Sequence, residues 1–259
     1  MTDLELVLTD LAAEGDSLDQ LLVPLTPQEW SRPTPSPGWT IAHQVSHLAW
    51  TDEKARIAAT DEVAFAHEQH CATADSAKFI EDGANDGVRL APGELLARWR
   101  AGRLALGEAL RASPGRLPWF GTRMSATSMA TARLMETWAH GLDVADALGV
   151  TREPTPRLRH VAHLGVITRD FAYRTHGLTP PSEPFRVELV TPDGTTWTWG
   201  PTDTGAGVSG PALDFCLLVT QRRHRQDLSL VATGEAGTWL DIAQAFAGPP
   251  GSGRAPLHS

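Results

Sequence analysis

Apolar positions along this chain recur with two different periods. Up to about residue 176 they return every three or four residues, and beyond residue 184 they alternate. Leu4, Val7, Leu8, Leu11, Leu18, Leu21 and Leu22 form the stripe of an amphipathic helix, which Pro24 ends. Thr26, Pro27 and Glu29 follow in the order of a capping box, which predicts a short helix. The proline-rich loop SRPTPSPGW then feeds Thr40, the expected cap of a helix running to Ala59. Further helices are expected over part of 61–72, over 92–112, over 125–148 with Gly149 as its stop, and over 156–177. Antiparallel helices joined by modest loops make a helical bundle with a four-helix core.

The texture changes at GLTPPSEP, residues 177–184, which is too rich in proline for a helix. The boundary placed there gives a bundle over 1–178 and a small α+β domain over 179–259. In FRVELV, Phe185, Val187 and Leu189 alternate with polar residues, PDG turns the chain and TTWTWG returns, the pattern of a β-hairpin. PALDFCLLVTQRR reads as a helix with Pro211 in its first turn, LSLVATG as a strand, GTWLDIAQAFAG as a last helix, and GPPGSGRAPLHS, residues 248–259, as a loose tail.

Composition narrows the partners. A formal charge of −9 argues against general affinity for nucleic-acid phosphates or anionic lipid, so a small-molecule substrate is expected, with no nucleic acid and no membrane. Cys71 and Cys216 have no ligand-like spacing, and the acidic start MTDLELVLTDL is not that of a signal peptide, so a cytoplasmic protein is expected. The nine tryptophans are assigned to packing.

Four motifs carry possible chemistry. GAGVSG, residues 205–210, matches a dinucleotide-binding fingerprint in letters but lacks the strand–turn–helix setting that gives the motif its meaning. QRRHR, residues 221–225, reads as a solvated helix end, or as the source of an arginine that clamps a carboxylate. His43 and His47 stand four apart on the helix that follows Thr40, and so do Glu136 and His140 on the helix closed by Gly149. Periodicity alone assigns Glu136, His140 and Asp143 to a solvated face, yet a carboxylate and two imidazoles from two helices of a bundle can also converge as three ligands with an open position.

SPGWTIAHQVSHLAWTDEKA resembles the first signature of the DinB-like bundle in mycothiol-dependent maleylpyruvate isomerases, a Gly-Trp loop leading into a helix with a metal-binding histidine. ETWAHGLDVADALG resembles the second, and GPALDFCLLVTQRRHRQDLSLVATGEAGTWLDIAQAFAG is similar to the small C-terminal domain, itself akin to sterol-carrier-like folds. The resemblance implies a divalent metal, zinc, on His47, Glu136 and His140. It also implies mycothiol as the exogenous ligand, and thiol transfer to, or isomerisation of, a small electrophile. Arg222 falls where the family carries an arginine facing the site, although Arg223 fits the position too and Gln221 stands where glycine is common. Asp143 is placed to orient the His140 ring. Two other classes stay open: a hydrolase with metal-activated water, and a non-enzymatic metal or small-molecule binding protein.

Overall fold

The N-terminal leucine stripe folds as α1 (Asp3–Leu22), and its apolar side, Val7, Leu8, Leu18 and Leu22, is buried. The computed structural model describes residues 3–251 and 253–257. It divides into two units, Met1–Arg152 and Glu153–Ser259. In the first unit α1 is followed by α2 (Pro27–Trp30), α3 (Ile41–Thr60), α4 (Glu62–Ala74), α5 (Ser76–Val88) and α6 (Pro92–Ala112). A two-stranded hairpin, β1 (Leu117–Trp119) and β2 (Thr122–Met124), then leads into α7 (Ala126–Leu148).

Helices α1, α3, α6 and α7 pack against one another. One core cluster joins Leu18 and Leu22 of α1, Val45 and Leu48 of α3, Leu95 and Trp99 of α6, and Val144 of α7. Helix α7 is covered on both faces, with Leu134, Asp143 and Val144 fully buried, so the face that periodicity assigned to solvent is interior. Ser125 Oγ accepts from the Ser128 amide at 3.0 Å to start α7, and Gly149, at φ 69°, ends it in the left-handed conformation that favours glycine.

Helix α5 has no counterpart in the sequence reading. Its Gly83, Asn85, Asp86 and Gly87 lower helix propensity, and tertiary packing overrides that cost. Both glycines let α5 approach α3 closely: a Cβ on Gly83 would lie 2.4 Å from the Trp50 ring, and one on Gly87 would lie 2.5 Å from Ser46 Oγ.

The second unit holds α8 (Leu158–Ile167), α9 (Arg169–Thr175), β3 (Arg186–Val190), β4 (Thr196–Trp199), β5 (Gly207–Pro211), α10 (Ala212–Val219), β6 (Val231–Thr233) and α11 (Ala236–Ile242). The sheet order is β4-β3-β5-β6, with β3 and β5 parallel and the other pairs antiparallel. The unit starts earlier than the 178/179 boundary read from proline content. The reason is that α8 packs on α10: a Cβ on Gly165 would lie 2.8 Å from Val219.

GAGVSG runs into and along β5 rather than forming a phosphate-binding turn, and no helix separates β3 from β5. Its glycines serve strand packing, since a Cβ on Gly207 or Gly210 would lie 2.7 Å from the backbone oxygen of Arg186 or Ser229 respectively. The tail expected to be loose includes Ser252, His258 and Ser259, which lie outside the described residues. Within it, the Leu257 amide donates to the Asp227 carboxylate at 3.1 Å.

The Gly83–Trp50 approach holds α5 against the helix that carries His47. Gly83→Ala forces the indole or the helix to move, and overpacking of this kind costs about 1–3 kcal/mol. The denaturant midpoint is expected to fall with an unchanged slope. A variant as stable as the parent would show that α5 does not press on Trp50.

Candidate metal centre

Helices α3 and α7 lie side by side, and each presents part of one polar cluster inside the first unit. His47 comes from α3, and Glu136 and His140 come from successive turns of α7. One ligand atom from each of the three lies within 4.8 Å of the other two. His140 Nε2 is 3.0 Å and His47 Nε2 is 3.9 Å from Glu136 Oε2, and the two imidazole centroids are 4.6 Å apart. Both histidines are 8 % exposed, so water does little to screen the group.

Burial sets the charge states. It pushes His47 down to about 4, against the pull of Glu136, so this ring is neutral at physiological pH and has a lone pair to offer. Burial also pushes Glu136 upward, but the facing His140 and His47 rings and the Arg133 guanidinium outweigh it and hold the carboxyl well below its ordinary value. Arg133, 4 % exposed, has its Nη2 3.7 Å from Glu136 Oε1. On the other side, burial raises Asp52 to about 6 despite the nearby Arg133 charge.

Trp39, at the end of the proline-rich loop, covers the pair of rings: its centroid is 5.2 Å from His47 and 6.0 Å from His140. Its indole N–H donates to Glu81 of α5 at 3.1 Å.

His43, the other histidine of α3, is used structurally. Its Nδ1 accepts from the Thr40 amide at 3.2 Å, which closes the N-terminus of α3, and its Nε2 lies 3.2 Å from Asn85 Oδ1. The cap fixes the tautomer, with the proton on Nε2 directed at Asn85.

The ring of His140 is anchored by Gln44, which sequence reasoning missed. His140 Nδ1 lies 2.5 Å from Gln44 Oε1 and 4.0 Å from Asp143 Oδ2, the partner expected from spacing. Asp143, fully buried, accepts instead from Ser36 Oγ at 3.1 Å, which ties the loop before α3 to α7. The signal for Gln44 was its position three residues before His47, on the same side of α3. Arg133 likewise precedes Glu136 by three.

Two imidazoles and an ionised carboxylate form a donor set that a zinc-type ion takes, and three protein donors leave a coordination position over. The structure brings together His47, Glu136 and His140. Arg222 belongs to the other unit, just beyond α10, where its Nη1 donates to the Thr220 carbonyl at 2.6 Å and Arg223 Nη1 donates to the Arg222 carbonyl at 2.7 Å. Gln221 before it has φ 57°, a left-handed conformation suited to glycine.

The model of the mycothiol maleylpyruvate isomerase N-terminal domain matches residues 11–145, and a model described as wyosine base formation matches residues 181–233. Two uncharacterized proteins from two strains of Mycobacterium tuberculosis are each 58 % identical over 248 residues, covering 95 % of this chain and 96 % of their own. Among solved structures, the mycothiol-dependent maleylpyruvate isomerase aligns with a TM-score of 0.58 at 19 % identity, over 85 % of this chain and 89 % of its own. A histidine-to-alanine mutant of that enzyme aligns with a TM-score of 0.58 at 18 % identity over the same shares. At such identity the likeness is one of fold: mostly helical, with a small four-stranded sheet toward the C-terminus. The domain match spans more than half of the chain and encloses His47, Glu136 and His140, and by it the protein belongs to the mycothiol maleylpyruvate isomerase N-terminal domain family.

Proposed function

We propose that this protein is a zinc-dependent enzyme that uses a low-molecular-weight thiol, mycothiol, for thiol transfer to, or isomerisation of, a small electrophilic substrate in the cytoplasm. The observation that carries the reading is the convergence of His47, Glu136 and His140 from two helices, with one ligand atom of each within 4.8 Å of the others. Family membership and the fold shared with a mycothiol-dependent isomerase support the choice of thiol. In this reading the first unit is a DinB-like bundle built on α1, α3, α6 and α7, and the second is a sterol-carrier-like domain.

When bound, zinc supplies a Lewis acid that lowers the pKa of a thiol and holds it as thiolate. The residues of this chain prepare for that anion. His47 and His140 contribute no charge as neutral rings and Glu136 contributes one negative charge, so the loaded site keeps about +1. Trp39 shields the two imidazoles from water, which strengthens every charge interaction beneath it. The family resemblance alone assigns Arg222 a substrate carboxylate, or the negative charge that develops when sulfur adds to an electrophilic carbon. If sulfur adds to one carbon of a double bond and the neighbouring carbon takes up the proton given up by the thiol, the product is a thioether; if the carbanion instead rotates about the now single bond and re-forms the double bond as the C–S bond breaks, thiolate is returned and the substrate is isomerised.

Zinc analysis of protein purified without chelators tests the ligand set. About one ion per chain is expected, lost in His47→Ala and largely kept in His43→Ala, whose cost is a weakened helix start of about 1 kcal/mol. Equal losses in the two variants would refute the assignment.

The choice between thiol chemistry and metal-activated water is read on cobalt-substituted protein. Mycothiol is expected to produce sulfur-to-metal charge-transfer absorption and to release about one proton per site near neutral pH, because the thiol binds deprotonated. An unchanged spectrum with mycothiol, glutathione and simple thiols would move the assignment to hydrolysis.

A further inference from the structure

Thr34 and Gln44 join Trp39 to His140 in an unbroken line of hydrogen bonds. The Thr34 amide donates to the Trp39 carbonyl at 2.8 Å, and the Thr34 hydroxyl contacts the same carbonyl at 2.9 Å. Gln44 Nε2 is 2.8 Å from Thr34 Oγ1, and Gln44 Oε1 is 2.5 Å from His140 Nδ1. Gln44 is fully buried, so water does not replace its partners at either end of the amide.

The line has a direction, set at its Trp39 end. A carbonyl oxygen only accepts, so the Thr34 hydroxyl spends its single proton on Trp39 and faces Gln44 with a lone pair. The Gln44 group facing that lone pair must then be the NH₂, which turns its carbonyl oxygen toward His140. An oxygen acceptor at Nδ1 requires that Nδ1 carry the proton of the neutral ring. The lone pair therefore sits on Nε2, which points at a second acceptor, Glu136 Oε2, 3.0 Å away. In the neutral ring two acceptors thus face each other across this contact, an arrangement relieved either by a cation held between them or by a second proton on the ring.

From this we propose that Gln44 is a positioning residue, and that the Trp39–Thr34–Gln44 line fixes His140 as the Nδ1–H tautomer so that Nε2 is free to ligate a cation together with Glu136. The proposal rests on the metal reading of the site and deepens it. It also links the ligand to the loop that covers it: Trp39 places its ring over His47 and His140 and anchors the line with its own carbonyl. Shifting the loop would release the Thr34 hydroxyl, allow the Gln44 amide to turn over and present NH₂ to Nδ1. The ring would then protonate Nε2 and lose its ligand atom.

The flanking charges do not provide an alternative anchor. Asp143 Oδ2 is 4.0 Å from Nδ1 and engaged by Ser36. Arg133, which carries only donors, faces Glu136 rather than the imidazole.

The test reads the tautomer directly, by nitrogen-15 chemical shifts of histidine-labelled, metal-free protein at alkaline pH. His140 is identified by the loss of its signals in His140→Gln. Wild-type protein is expected to show a protonated Nδ1. Gln44→Met, similar in volume but without the acceptor, is expected to revert to the Nε2–H form that hydrogen-bonds Glu136. Gln44→Glu, which keeps an acceptor oxygen, is expected to retain Nδ1–H. Thr34→Val, which removes the direction-setting hydroxyl, is expected to give a mixture. In parallel, Gln44→Met should weaken zinc binding about 10- to 100-fold and Gln44→Glu much less, the range seen when a partner of a ligating histidine is lost.

An Nε2–H ring in the wild-type protein, or the same tautomer in wild type and Gln44→Met, overturns the proposal even if zinc binds. A protein that shows the expected tautomers but binds no zinc keeps the positioning role and refutes the metal reading instead. Circular dichroism of each variant checks that the fold persists.

Discussion

A carboxylate enclosed by two imidazoles inside a helical bundle is stable only if positive charge stands close by. Glu136 is in that position: burial works against its ionisation, and the positive charge beside it is the Arg133 guanidinium, 3.7 Å from its Oε1. Much of the surrounding architecture supplies or orients those partners. Arg133 and His140 are one turn to either side of Glu136 on α7, His47 arrives from α3, and Gln44 on α3 steadies the ring of His140. The remaining donor capacity suits a divalent cation, which is the basis of the metal reading.

Close packing keeps these groups in register. Gly83 and Gly87 let α5 lie against α3 at Trp50 and Ser46, and α5 in turn supplies Glu81 and Asn85, which hold the Trp39 indole and the His43 ring. The proline-rich loop is thus secured from several directions: by Glu81 through the Trp39 indole, by Asp143 through Ser36, and by Gln44 through Thr34. In the second unit, strand contacts account for the glycines of GAGVSG, which resemble a nucleotide motif only in spelling.

Where a local signal was strong, the sequence was informative. The leucine stripe of α1, the Thr40 and Ser125 starts and the Gly149 stop all have the roles their chemistry implied. Helix α5 was invisible because its glycines weaken the helical signal and acquire their meaning only against Trp50 and Ser46. Periodicity alone misassigns the buried face of α7, because polar residues at helical spacing look alike in water and in a protein interior. Only the neighbouring α3 distinguishes the two cases. Asp143 looked like the partner of His140 by spacing along one helix, but the partner came across the bundle from Gln44, a relation that no single-helix periodicity encodes.

The central claim is that one divalent ion is held by residues of α3 and α7, and the most direct measurement is zinc K-edge X-ray absorption on protein as purified. The expected spectrum has two imidazoles and one carboxylate oxygen at about 2.0–2.2 Å with one further light atom, and a sulfur at about 2.3 Å replacing that atom once mycothiol is added. A spectrum fitted by fewer than two imidazoles, or one with protein sulfur before any thiol is added, would contradict it.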